Sequence, residues 1–351
     1  MNAETIRTFL NAGQVIPAQP LALDAGGRLS ERHQTAITRY YFDAGAGGLA
    51  VGVHSTQFEI REPQHGLFRP VLELAASAID ERVATTGRPF VRIAGICGAT
   101  PQAIGEAELV RELGYHAGLL SLAALRDATE DDLVAHARRV ADVLPVIGFY
   151  LQPAVGGRVL SYAFWRAFAE IPGVVAIKIA PFNRYQTLDV IRAVCDAGRD
   201  DVILYTGNDD TIVTDLLTPF PVLKDGERAT RWIAGGLLGH WGVWTRRAVE
   251  LLESIKQART MRSITLQWLS IAAAVTDMNA AVFDSANRFH GCIPGILEVL
   301  RRQGLTPSNR CLNPHEQLSP GQAEELDRVC ASYPEWTDDA FVAANLERWL
   351  G

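Results

Sequence analysis

Between residues 116 and 206 the chain repeats one unit: a short run of Val, Ile, Leu and Gly ends in small or polar residues, and a capped amphipathic stretch follows. Strand ends recur about every 28 residues there, the length that a strand, a helix and two short loops need in a (β/α)8 barrel. Strand then helix, repeated, dictates a parallel sheet. Eight runs fit the strand pattern along the chain: Gln14–Pro20, Gly47–Val53, Phe90–Cys97, His116–Leu120, Pro145–Tyr150, Val174–Ile179, Val202–Thr206 and Arg231–Leu238. An open doubly wound sheet is the alternative. Its glycine fingerprint is missing, because Ala44-Gly45-Ala46-Gly47-Gly48 precedes a strand instead of following one. The expected fold is therefore a (β/α)8 TIM barrel.

Independent start signals mark the helices between these runs: Ser30 before Glu31, Thr100 followed by Pro101, and Ser161 before Tyr162. Thr129-Glu130-Asp131-Asp132 has the form of a capping box, with Leu133, Val134, Ala137 and Val140 along one face behind it. Past residue 250 the strand signals stop. Thr265 to Phe283 is apolar on nearly every side, which predicts a helix buried between neighbours. Ser319-Pro320-Gly321-Gln322 carries an N-cap signature. The expected organisation is a barrel over residues 1–250 and a C-terminal helical subdomain over 251–351.

Composition narrows the function classes. At 48% hydrophobic and 21% charged residues, 351 residues suffice for a large core. A net charge of −7 without a basic stripe excludes nucleic acid as the expected partner. The longest uncharged runs, Val143 to Gly157 and Trp232 to Trp244, are too short and too broken by Pro or Gly to cross a bilayer. Five scattered cysteines without a Cys-x-x-Cys pair fit a reduced compartment, and no apolar leader follows Glu4, so a cytoplasmic location is expected. Metal and cofactor are not expected: there is no His-x-His, no His-Glu-x-x-His, no Cys/His cluster and no P-loop. Asp209 and Asp210 could bind a cation, but solvated loop acids are the commoner outcome.

In a barrel of this kind catalytic groups stand at the C-terminal ends of strands. Lys178 lies near the end of the uncharged run Val174–Ile179, where an ammonium is costly to bury and a lowered pKa would make the amine a nucleophile. A lysine that snorkels to the rim is the plain alternative. Tyr150 ends the preceding run about one βα period upstream, where a phenol can pass a proton. His54-Ser55-Thr56-Gln57 ends the second run, and its hydroxyls and amides suit a carboxylate, with His54 a candidate acid or base.

In order and spacing these residues resemble the dihydrodipicolinate synthase and N-acetylneuraminate lyase family of class I aldolases. Leu49 to Thr56 resembles its carboxylate loop, Tyr150-Leu151-Gln152-Pro153 its Tyr-Asn-x-Pro, Ile177-Lys178 its Schiff-base Ile-Lys, and Tyr205 to Asp209 its seventh-strand segment. The resemblance implies a lyase in which Lys178 forms an imine with a pyruvate-like 2-oxo acid. It implies Tyr150 as proton shuttle, Gly52, Ser55, Thr56 and Gly207 as substrate-binding residues, and a homotetramer, to which the tryptophans of 232–244 would contribute an interface. The chain also departs from the family. Val53 and His54 stand where the family has two threonines. Ser121–Leu125 has no tyrosine, and Pro153-Ala154-Val155 lacks the arginine by which the synthases hold their second substrate. Dihydrodipicolinate synthesis is not expected, and His54 is a candidate replacement for the missing relay. The rival is a family member that has become a small-molecule binding or regulatory protein.

Overall fold

Eight strands that obey one parallel hydrogen-bonding order account for most of the short apolar runs. The computed structural model describes every residue except Asp225. With two more that pair apart from the eight, the strands are β1 (Val15–Pro17), β2 (Gly48–Val51), β3 (Val91–Ile96), β4 (Ala117–Leu120), β5 (Val146–Leu151), β6 (Val174–Ala180), β7 (Ile203–Thr206), β8 (Phe220–Lys224), β9 (Glu227–Arg231) and β10 (Gly235–Leu238). The large sheet runs β1-β10-β7-β6-β5-β4-β3-β2, and β1 meets β2 again through the parallel bridge Ala18↔Ala50. With helices between successive strands and a helical C-terminal part, this is a nearly closed (β/α)8 barrel.

β8 and β9 are the departure from the expected strands: they pair as an antiparallel hairpin from Phe220↔Arg231 to Lys224↔Glu227. The run read as Arg231–Leu238 therefore joins the end of the hairpin to the true last strand. Both hairpin strands are largely exposed, so no apolar period announced them.

Contacts divide the chain into two compact units, residues 1–14 with 93–237 and residues 15–92 with 238–351. The boundaries between these units fall inside β3 and β10. In the first unit β4 to β7 are buried along nearly their whole length, as parallel strands covered by helices must be. Thr129 and Asp132 form the expected capping box, each side chain accepting from the other's amide. Ser161 Oγ accepts from Phe164 N at 3.1 Å and caps the helix Tyr162–Ala169. Arg199 fastens the base of the unit by donating to the carbonyls of Ala169, Ile171 and Val174.

In the second unit the helix Glu31–Ala44 buries Tyr40 and Tyr41, and the Trp349 ring of the last helix lies 5.4 Å from that of Tyr40. The Tyr40 hydroxyl donates to Asp338 at 2.8 Å and accepts from Thr245 N, so the polar tip of the aromatic core is satisfied. Gly295 lets the helix Cys292–Arg302 approach its neighbour closely, since a Cβ there would meet Val282 O at 2.0 Å.

Three further expectations change. The helix Gln267–Phe283 is buried only in its second half, through Ala274, Val275 and Met278; Leu266 and Leu269 before and within its first turn are 80% and 58% exposed. The helix Gln322–Ser332 has Gly321, in a left-handed conformation, at its N-cap, while Ser319 donates to Asp284 instead. Trp241 and Trp244 are buried inside the unit, so they supply no exposed apolar surface for an interface. Among the described residues no helix is long and apolar enough to cross a membrane.

Candidate functional site

Lys178 is the fifth residue of a seven-residue strand in which every position is buried, and it is itself only 8% exposed. Its register partners are Phe149 on β5 and Tyr205 on β7. Partners in a parallel ladder put their side chains on the same face of the sheet. The Phe149 ring accordingly stands against the amine, with Nζ 4.4 Å from the ring centroid, a cation–π distance. Tyr205 shares the face, but its hydroxyl points away, donating to Leu10 O at 2.8 Å and accepting from Gln14 N at 3.0 Å. Burial pushes that phenol well above its ordinary pKa, so it stays protonated as a structural donor.

Gly207 follows β7 directly and touches the lysine from the other side. Its amide donates to Ile179 O at 2.7 Å, and a Cβ added to it would stand 2.5 Å from Lys178 Cε.

Tyr150 is not brought to Lys178. It pairs with Ile179 and so points to the opposite, helix-covered face, where its ring lies 5.0 Å from that of Trp165. Its hydroxyl donates to Leu160 O and accepts from Leu160 N, each at 3.2 Å. The phenol expected to shuttle a proton at the lysine is thus a buried pin between β5 and the start of the next helix. Burial raises its pKa, which keeps the hydroxyl protonated in that role.

Behind β7 lies a polar cluster absent from the sequence expectations. Asp215 is fully buried, and its carboxylate accepts from Thr206 Oγ1 at 2.6 Å, Asn208 Nδ2 at 2.9 Å and Arg184 Nη1 at 2.6 Å. Asn208 Oδ1 in turn accepts from Phe182 N, a residue held at φ +52°. The cluster fixes the two turns that follow β6 and β7, on either side of Gly207. Asp209 is buried and Asp210 half-buried, and burial raises the Asp210 pKa. Among the described residues no group of three or more His, Cys, Asp and Glu is placed to hold a metal ion. Arg158, the first arginine after Pro153, donates through Nη1 to the carbonyls of Leu125, Arg126 and Ala128.

In the second unit, the turn after β2 uses its own polar groups. Thr56 Oγ1 donates to Gln19 O at 2.6 Å and accepts from the amides of Gly52 at 3.0 Å and Val53 at 3.2 Å. Gly52 and Thr56, expected to bind a carboxylate, here close the turn on itself. Ser55 Oγ makes only a long 3.4 Å contact to Gln19 O. His54 is partly exposed, its ring 6.0 Å from that of Phe58. Gln57, buried at φ +68°, accepts from Leu312 N at 2.6 Å and ties the turn to the C-terminal segment.

Residues 11–218 match the model of the dihydrodipicolinate synthetase family. The chain belongs to that family. Solved structures of similar fold include N-acetylneuraminate lyase from Fusobacterium nucleatum, at TM-score 0.70 and 15% identity over 93% of this chain and 100% of that one. Dihydrodipicolinate synthase from Thermotoga maritima gives TM-score 0.73 and 17% identity over 92% and 99%. A prophage protein of the dihydrodipicolinic acid synthase family from E. coli K12, in complex with pyruvate, gives 0.71 and 17% over 92% and 98%. No curated protein sequence matches. At these identities the solved members of the dihydrodipicolinate synthetase family share the fold. Fold and family together support a class I aldolase-type lyase in general.

Proposed function

We propose that this member of the family is a lyase that works through a Schiff base on Lys178 with a pyruvate-like 2-oxo acid. The observation that carries the reading is an amine held on a wholly buried strand, 4.4 Å from the centroid of an aromatic ring. A charge in that position is retained for chemistry more readily than for stability. The amine adds to the C2 carbonyl, the carbinolamine loses water, and a protonated imine results. That imine accepts the electron pair released when a bond at C3 breaks, and the reverse flow forms a carbon–carbon bond. The three lysines of the chain make the assignment simple, because Lys224 and Lys256 lie in surface ion pairs with Asp200 and Glu253.

Tyr150 is not given the proton-transfer role, since its hydroxyl is held by Leu160 on the other face of β5. In the turn after β2 the proposal rests on Ser55 as a carboxylate donor and on His54 as an acid or base. Ser55→Ala is expected to weaken 2-oxo acid binding, and His54→Gln to change the pH profile of turnover. Dihydrodipicolinate synthesis is left out of the proposal, because Val155 stands where the synthases carry their substrate-holding arginine. We place the protein in a reducing cytoplasm, in keeping with five free cysteines. We also keep a homotetramer in the proposal, supported by exposed Met261, Ile264, Leu266 and Leu269; a monomer at micromolar concentration in sedimentation would remove it.

Borohydride reduction in the presence of pyruvate and other 2-oxo acids, followed by peptide mass mapping, tests the reading. The expected result is one adduct, on the Lys178 peptide. Labelling of Lys224 or Lys256 alone would overturn the site. The outward Tyr150 favours a second reading, a small-molecule binding or regulatory protein, and no adduct with any acid of the panel would decide for it.

A further inference from the structure

The amine proposed to react is confined between two strands. On the β5 side the Phe149 ring faces Nζ. On the β7 side the backbone of Gly207 lies flat against the lysine stem. A Cβ at Gly207 would come within 2.5 Å of Lys178 Cε, 2.7 Å of Ala180 Cβ and 2.9 Å of Lys178 Cγ, all closer than real Cβ contacts. Gly207 has no left-handed φ that would call for glycine. Space alone excludes a side chain here. Nor can β7 back away, because Gly207 N is bonded to Ile179 O and Asn208 is anchored by Asp215 and Thr187.

From this geometry we infer that Gly207 is a positioning residue for Lys178: its bare backbone and the Phe149 ring form a slot that fixes where the amine points. The inference rests on the proposed reading of Lys178 as nucleophile and adds to it. A four-carbon stem turns freely unless its walls prevent it. Attack on a carbonyl requires a narrow distance and direction, and a small misplacement far from the reacting atoms already slows a reaction about 10²-fold. A methyl group at Gly207 removes the room on one side, so the stem is driven toward the ring and the amine off its line.

The test uses Gly207→Ala, the double variant Ala180→Gly/Gly207→Ala, and Phe149→Leu, each first checked for a cooperative thermal melt. One readout needs no 2-oxo acid: trace acetylation of Lys178 by acetic anhydride, with Lys224 and Lys256 as internal standards on the same peptide map. The other is borohydride trapping with pyruvate. Gly207→Ala is expected to lower Lys178 acetylation at least about tenfold relative to the other two lysines, and trapping by about 10²-fold. Ala180→Gly is expected not to restore either, because the contacts to Cε and Cγ remain. Wild-type acetylation in Gly207→Ala, or restoration by Ala180→Gly, would overturn the inference. Where Gly207→Ala does not melt cooperatively, Phe149→Leu decides: opening the ring side should raise Lys178 acetylation at least about threefold, and an unchanged ratio overturns the slot. If wild-type protein gives no pyruvate adduct, the imine reading fails while the acetylation series still judges the slot.

Discussion

Tyr150→Phe separates the two roles open to this tyrosine. The substitution removes one oxygen and leaves the ring against Trp165. That oxygen makes both of its contacts with one buried backbone position, donating to Leu160 O and accepting from Leu160 N at 3.2 Å each. Leu160 is 5% exposed and Tyr150 is 0% exposed, so water does not replace the lost partner. A buried backbone donor or acceptor left unpaired costs about 1–3 kcal/mol. Both bonds are long, which places the expected loss for the pair at about 2–4 kcal/mol. The phenol lies on the opposite face of β5 from Lys178, so borohydride trapping is expected to stay within about twofold of wild type. Urea denaturation followed by tryptophan fluorescence, with m held constant between variants, measures the first quantity. Trapping with pyruvate at saturating borohydride measures the second. An unchanged urea midpoint with turnover cut by about 10²–10⁴, the usual worth of a positioned acid or base, would refute this reasoning and restore Tyr150 as a proton shuttle.

Three further outcomes are expected. Asp215→Ala strands the Thr206 hydroxyl and the Asn208 amide and should cost about 2–5 kcal/mol in urea unfolding; a loss below about 1 kcal/mol would show that the cluster contributes little. Burial lowers the His240 pKa from 6.5 to about 4, so the unfolded chain takes up a proton that the folded one refuses. Its contribution to stability is whole above the unfolded pKa of 6.5 and is lost as pH falls toward 4. The loss is about 3 kcal/mol in all, and His240→Gln should flatten that part of the stability–pH curve; an equally steep curve in the variant would refute the assignment. Burial, and then the Glu316 carboxylate, hold the Cys311 thiol well above its ordinary pKa. Cys311 should resist a thiol-directed disulfide reagent in the native protein and react on unfolding; rapid native labelling on peptide mapping would contradict its placement.

Most of the fold was legible because its signals are local. A capping box such as Thr129 with Asp132 is complete within four residues, and the β/α period needs only the order of apolar and polar stretches. Lys178 could be found in the same way, as a charge inside an uncharged run. The hairpin β8–β9 could not, because its strands are largely exposed and their more sheltered face, Phe220, Val222, Ala229 and Arg231, mixes apolar with charged residues. Nor could the half-exposed helix Gln267–Phe283, since an apolar sequence states what a helix would prefer to touch and not whether a neighbour arrives.

Which aromatic side chain faces the lysine was decided by pairing alone. Phe149 and Tyr150 are adjacent, so they must point to opposite faces of β5, and the sequence places both near a Pro that suits either choice. The parity is set by how β5 meets β6, where the register shifts between Val146 and Ile147 and then runs Phe149↔Lys178. One residue of slip would exchange the two rings. Residue order fixed that a lysine and a tyrosine end successive strands. Only the ladder between those strands put a phenyl ring on the amine, sent the phenol to Leu160, and pressed the backbone of Gly207 against the lysine stem.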